Sequence, residues 1–424
     1  MPADLSCWRR PAQHLPLIPH LLIVPILLAI ATIISLFVHS DVNAALLWSQ
    51  CHAHSILSPL SRLPVIGTPA CFRISFLLAA LDSLRSKAVL SVVVAFIGAL
   101  LTVSTVESAR RVNAGNRVVS RPTLPWLVYT LVGGALVWQL VIVPAFMVAA
   151  KMWPMSVRGP GSPGRGSSRR GGGGEGGGHG DEHEHEHEHE HEHDHENENE
   201  NENEDENDNE HEHEIKCRQI AQTEVIAIPL AVAVGFYVPS VLMLAGPSPV
   251  TISTWLFFPV YVSLLRQGTR YLLSKMACFR AALSCHLESH TESVLCVYAL
   301  PVLASVLAHG FFLVASLTQP DDRKELTRST VRFIEIDYEY IGLTLLYWVS
   351  VEVGWPTPLV IAGSSVLLGP GAGTALGWLY REKILTSDMD SRRLGSGRDA
   401  DEERGRGACG DGGGEADEQT PLVQ

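Results

Sequence analysis

The hydrophobic and polar positions fall into long apolar windows rather than the alternating or short amphipathic runs of a soluble domain. A bilayer span needs about 20 mostly apolar residues. Eight windows meet or approach that length: Leu17–Val38, Ala88–Val106, Trp126–Ala150, Val225–Ala245, Ile252–Leu272, Val294–Leu317, Asp337–Val353 and Pro358–Leu379. The fifth and seventh are the weakest, the fifth because Arg266 and Arg270 interrupt it. The first is too long for a cleaved signal peptide and lacks a clean small-residue cleavage site, so it reads as a retained signal anchor. The pattern predicts an all-α polytopic membrane bundle of about eight spanning helices, in contact with the lipid bilayer. Residues 1–150 would carry helices one to three and 217–386 helices four to eight.

A shorter apolar stretch, 72–84, is about two-thirds of a span and is closed by Asp82 and Arg85. It reads as a re-entrant or interfacial segment. Between the third and fourth windows, 151–216 is Gly/Arg-rich and then alternates His-Glu and Asn-Glu. No core can form from that composition, so a solvated linker is expected. The Gly- and charge-rich tail over 387–424 reads the same way.

Charge and cysteine content adjust this picture only locally. The chain carries a net −13, but 181–214 alone holds 19 Asp/Glu and no Lys or Arg, so the remainder is mildly basic. The acidic balance therefore describes the insert, and no basic stripe of the kind that binds nucleic acid stands out. Eight cysteines are scattered without a CxxC pair. Cys51 and Cys71 share one loop and would pair only if it faces an oxidising lumen; two free thiols are the default. Eight spans put twelve Lys/Arg in the short loops on the side of the termini against eight on the other. That bias predicts cytosolic termini in an endoplasmic-reticulum membrane.

Ten of the 18 histidines lie in 179–213, and His-rich tracts can bind metal. The layout also resembles ZIP-type zinc transporters. Their transport site needs His and Glu within the fourth and fifth helices, however, and those windows hold neither here. No metal and no other cofactor is expected.

Carboxylates inside or at the edge of a span are costly and mark functional candidates. Glu107 ends the second window and Asp337 opens the seventh. By counting spans, both fall on the same side of the membrane, whereas Glu224, Glu288, Glu292 and Glu352 fall toward the other. Steps of three and four put Asp337 on one helix face with Tyr340, Ile341, Thr344 and Trp348, and put Glu335 and Glu339 elsewhere. A carboxyl lined by aromatics in a low-dielectric setting stays protonated and can donate. Aromatic faces also stabilise a passing cation. The bland alternative pairs Glu107 with Arg110 or Arg111, and Asp337 with Arg332 or Arg328.

Five stretches occur in order: PVIGTPACFRISFLLAALDS, VESARRVN, IPLAVAVGFYVPSVLML, STWLFFPVYVSLL and FIEIDYEYIG. Together they resemble the eight-helix fungal membrane-bound terpene cyclases of the ascofuranone and ascochlorin type, over most of 60–350 apart from the linker. The resemblance implies cyclisation of an epoxidised prenyl chain started by a carboxyl acid, in fungal meroterpenoid metabolism beside neighbouring biosynthetic enzymes. It points to Asp337 and Glu107 as catalytic and, more loosely, to Asn113 and Trp255 as substrate-binding. Tyr340 and Trp348 join them from the helix face. The long 151–216 insert and the extended 266–293 loop depart from the family pattern. The competing class is a small-molecule transporter or a non-catalytic membrane protein; no internal repeat supports the former.

Overall fold

The computed structural model describes residues 19–42, 66–148, 220–275 and 291–384, with Ala45, Leu47 and Ser49. The expected linker, the tail and the acidic His/Glu tract lie outside them. Among the described residues all regular elements are helical. They are α1 (His20–His39), α2 (Gly67–Ala80), α3 (Leu84–Ala109), α4 (Thr123–Val132), α5 (Gly134–Val148) and α6 (Gln222–Ala245). Then come α7 (Pro249–Leu256), α8 (Phe258–Lys275), α9 (Thr291–Thr318), α10 (Glu325–Val353), α11 (Pro356–Leu368) and a final helix, α12, over 370–384.

Among the described residues four helices are long and apolar enough to cross a membrane: α1, α3, α6 and the Leu295–Thr318 part of α9. Their outward side chains fit that setting. Leu27 and Phe37 on α1, Leu307 and Leu317 on α9, and Val366 and Leu367 on α11 are all exposed, as lipid contact would require. α10 is as long, 29 residues, but carries Glu335, Asp337 and Glu339 along its length.

α3 forms the centre of the bundle, with most of its side chains buried; Ser83 caps it by accepting the Ser86 N–H at 3.1 Å. Two contacts fix how α10 lies beside it. Lys324 donates to Asp82 at 2.8 Å, joining the residues just ahead of α3 and α10. Arg381 bridges Glu107 and Glu352, joining their far ends. The two helices therefore run parallel, whereas eight successive spans would make them antiparallel.

The reason lies in the third window, which folds back on itself, as the eighth also does. α4 and α5 are separated by Gly133 at φ +157°, a conformation that favours glycine. The Trp126 and Trp138 rings then lie 5.8 Å apart, where a continuous helix would separate them by about 18 Å. Asn116, just ahead of the hairpin, donates to the Ala145 carbonyl near its exit at 2.8 Å. The chain thus enters and leaves at the Glu107 end. α11 and α12 repeat this design about Gly369, at φ +90°, with Ile361 against Gly377 and Ser365 against Gly373. That tip reaches mid-bundle: the missing Cβ of Gly371 would sit 2.8 Å from the Ala95 carbonyl of α3. Two of the eight expected spans are therefore helical hairpins.

The short segment expected at 72–84 is α2, starting earlier at Gly67 and packing Phe76 edge-on to Phe333 of α10 at 5.4 Å. Cys71, on its first turns, is disulfide-bonded, against the default of a free thiol. Its partner lies outside the described residues.

Candidate functional site

Asp337 sits near the middle of α10, 8% exposed, facing the tip of the first hairpin. Breaking the helix at Gly133 leaves the first N–H groups of α5 without intrahelical partners. Asp337 takes two of them: Gly134 N–H donates to Oδ2 at 3.2 Å and Ala135 N–H to Oδ1 at 3.0 Å. The carboxyl also faces the positive end of the α5 helix dipole. No pairing with Arg332 or Arg328 forms; those side chains reach Glu335 at 3.9 Å and Asp321 at 3.1 Å. Around the exposed Asp321, the Arg323 and Arg328 guanidiniums hold the carboxyl well below the usual carboxylate range.

The fit at the tip is close. A Cβ on Gly134 would lie 2.7 Å from Asp337 Oδ2, 2.9 Å from Ile341 Cδ1 and 3.1 Å from Tyr129 Cε2. Gly134→Ala should therefore lose about 1–3 kcal/mol, as overpacking does. It should read as a lower unfolding temperature in detergent; an unchanged midpoint would remove the carboxyl from the hairpin tip.

Beside Asp337, the Tyr129 and Tyr338 hydroxyls share a hydrogen bond of 2.8 Å. Arg73 lies close by, its Nε donating to the Leu131 carbonyl at 3.4 Å. Tyr338 also lines an apolar groove of about 470 Å³ on the opposite face of α10, under the tip of the second hairpin. Phe96, Phe312, Leu346 and Ile361 form much of its wall. Three titratable side chains share it: Glu335, Glu339 and His309. α10 is thus gripped between two hairpin tips, with the carboxyl on one side and the groove on the other.

Glu107 is not part of this centre. It is 6% exposed and belongs to a buried network at the bundle end, with Arg110 Nε at 3.3 Å and Arg381 Nη1 at 3.6 Å. Arg110 continues to Glu382 at 3.0 Å, and Arg381 to both Glu382 and Glu352. Glu352 lies fifteen residues beyond Asp337, about 22 Å along α10. Glu107 and Asp337, expected on one side, lie apart along the bundle because the third window folds back at Gly133 instead of crossing. Glu224 also belongs to the Glu107 end: Arg266 joins it, at 2.7 Å, to Ser108 beside Glu107.

The four residues expected to bind substrate are dispersed, and none lines the groove. Asn113 donates to Glu107 Oε2 at 3.1 Å, and Trp255 Nε1 to Ser240 at 2.9 Å. Tyr340 bonds Ser35 at 2.7 Å, and Trp348 packs between Phe146 and Trp378. Of the face expected from spacing, Asp337, Ile341, Thr344 and Trp348 are buried and Tyr340 is half-buried. Tyr129, Tyr338 and His309 escaped the sequence reading. His309 within an apolar helix was the one available signal, by its cost in hydrocarbon.

Fold and site together define an all-helical, lipid-compatible bundle with a buried carboxyl centre beside an apolar groove. A family model described as the CtvD domain matches residues 203–339, about a third of the chain, and this stretch takes in Asp337 and Tyr338. No curated protein and no solved structure matches the chain.

Proposed function

We propose that this chain is an integral membrane terpene cyclase of fungal secondary metabolism, which opens a prenyl-chain epoxide by protonation and guides the resulting cation into a ring. The observation that carries the reading is a mid-bundle carboxyl beside a hydrogen-bonded pair of tyrosines, one of which, Tyr338, lines an apolar groove. The groove's size falls within the ordinary range for small-molecule sites. The CtvD-domain match overlaps three of the stretches that carry the cyclase resemblance, which supports the same reading.

In this mechanism the prenyl chain lies along the Phe96 and Phe312 walls with its epoxide at Tyr338. The carboxyl of Asp337 supplies a proton, relayed by Tyr129 and Tyr338, to the epoxide oxygen as general acid. The C–O bond breaks toward the more substituted carbon, and an alkene π pair attacks that carbon to form the ring. A proton lost to Glu339 or His309 ends the sequence. Keeping water out of the groove prevents capture of the cation as a diol. Glu107 keeps no chemical role here; it holds the end of the bundle together.

The test is product analysis in a host supplied with a prenyl-phenol epoxide, with and without the protein. Formation of a cyclised isomer of unchanged mass supports the cyclase. A diol or unchanged epoxide at good membrane yield overturns it.

The path through the membrane follows from the hairpins. Six elements traverse the bundle: α1, α3, α6, α7 with α8, α9 and α10. Lys/Arg gather at the Glu107 end, on Arg110, Arg117, Arg121, Arg270 and Lys383 among others, which favours a cytosolic position for that end. The disulfide of Cys71, in the Lys324 half, fits an oxidising lumen opposite. An impermeant thiol reagent should reach Gly246→Cys and Asp322→Cys from the same side, and Arg117→Cys and Trp355→Cys from the other. Labelling of Asp322→Cys and Trp355→Cys from one side would break this topology.

A further inference from the structure

A second cavity, of about 870 Å³, opens at the Glu107 end between α3, the start of α4 and α8. Its rim is basic and rich in hydroxyls: Arg121, Arg266 and Arg270 stand beside Ser120, Thr123 and Ser274. Its inner wall is apolar, made by Leu101, Val262 and the buried Trp126.

The three arginines are not equivalent. Glu224, 2% exposed, takes Arg266 through Nε at 2.7 Å and Nη2 at 3.0 Å, while Arg266 Nη1 donates to Ser108 at 2.6 Å. Arg266 is therefore fully engaged and serves as support. The same carboxylate holds only Nη1 of Arg270, at 3.1 Å, on a side chain that is 51% exposed. Arg121 makes no side-chain ion pair or hydrogen bond among the described residues. Among the described residues one carboxylate thus holds two of the cavity's three guanidiniums, leaving an excess of positive charge on Arg121 and the half-exposed Arg270. Planar guanidinium forks match phosphate oxygens in pairs. An inorganic ion would use only the rim, and the apolar wall behind it matches a hydrocarbon chain.

We propose that this cavity binds an amphiphile with a terminal, uncapped phosphate, with that phosphate at Arg121 and Arg270 and its apolar chain against Leu101, Trp126 and Val262. The site lies at the end of the bundle where lipid headgroups meet water, on a different surface from the Asp337 groove, and does not depend on the reaction proposed above. The shared chemistry is a phosphate head, which either a membrane lipid or a free phosphate could present.

The test uses the full chain in neutral detergent, with unfolding temperature followed on addition of dioctanoyl phosphatidate, dioctanoyl phosphatidylcholine or inorganic diphosphate. Phosphatidate should stabilise the protein by several degrees at concentrations at least tenfold below those of the other two. Arg121→Gln, which has no fold contact to lose, should weaken the phosphatidate response severalfold, and Arg121→Gln with Arg270→Gln at least tenfold. Arg328→Gln, at the opposite end, should leave it unchanged. Diphosphate acting at the same concentrations as phosphatidate would overturn the role of the apolar wall. Equal stabilisation by phosphatidylcholine, or an Arg121→Gln response equal to that of the unaltered chain, would overturn the site.

Discussion

Asp337→Asn should cut cyclised product by about 10²–10⁴-fold, the usual worth of general acid catalysis. It should also lower stability, because an amide turns its NH₂ toward one of the two backbone N–H groups that donate to the carboxyl oxygens, leaving a buried donor unpaired at about 1–3 kcal/mol. A second variant separates these effects. Tyr338→Phe keeps the ring at the groove but removes the hydroxyl that meets Tyr129. It should lose product within the same range while both backbone bonds to Asp337 stay intact, at a stability cost of about 1–3 kcal/mol for the Tyr129 hydroxyl left unpaired. Full turnover in Tyr338→Phe would end the relay, and full turnover in Asp337→Asn at equal protein level would end the assignment of the acid. Glu107→Gln should lower the unfolding temperature without changing turnover per folded molecule. Glu335→Gln and Glu339→Gln touch the groove and should alter product distribution.

The second large effect belongs to Arg381. Its guanidinium lies 4.3 Å from the Trp378 ring and is held by Glu352, Glu382 and Glu107, all in a buried setting. Arg381→Met preserves length and packing but leaves three carboxylates facing the single cation of Arg110. Removing one partner of a buried ionic cluster costs about 3–5 kcal/mol. In a chain of 424 residues that corresponds to a fall of about 3–6 °C in unfolding temperature. A midpoint within a degree or two of the parent would mean that the network is solvated and of little energetic weight. Combining Arg381→Met with Glu107→Gln should recover part of the loss, since one uncompensated charge then disappears.

The helical class and the buried face of α10 were legible because both follow from local periodicity. Asp337, Ile341, Thr344 and Trp348 recur at helical steps, and that spacing needs no knowledge of the partner. The Glu107–Arg110 contact was legible for the same reason, being one turn apart. The hairpins were not. Gly133–Gly134 and Gly369–Pro370 are breaker pairs in plain view, yet hydropathy averages across them and returns one window. That single error propagates: counting α4 and α5 as a crossing inverts every loop between the first hairpin and α10. It also placed Glu107 beside Asp337 and Glu224 away from it. Partnerships that depend on the hairpin path, such as Tyr129 with Tyr338 or Arg381 with Glu107, leave no local trace.

The grip of Asp337 on the first hairpin also has a consequence for how the protein is made. Gly134 and its acceptor are 203 residues apart in the chain. At about 5–20 residues per second, the ribosome delivers α10 roughly 10–40 seconds after α5 has left it. Through that interval the N–H groups at the start of α5 lack their native acceptor, and a hairpin apex of that kind is poorly tolerated in hydrocarbon. The first hairpin must therefore wait at the interface or on an insertion chaperone. Thr130→Cys, buried in the folded protein, should react with a water-soluble thiol reagent in a nascent chain arrested before residue 325 and be protected in one released after 353.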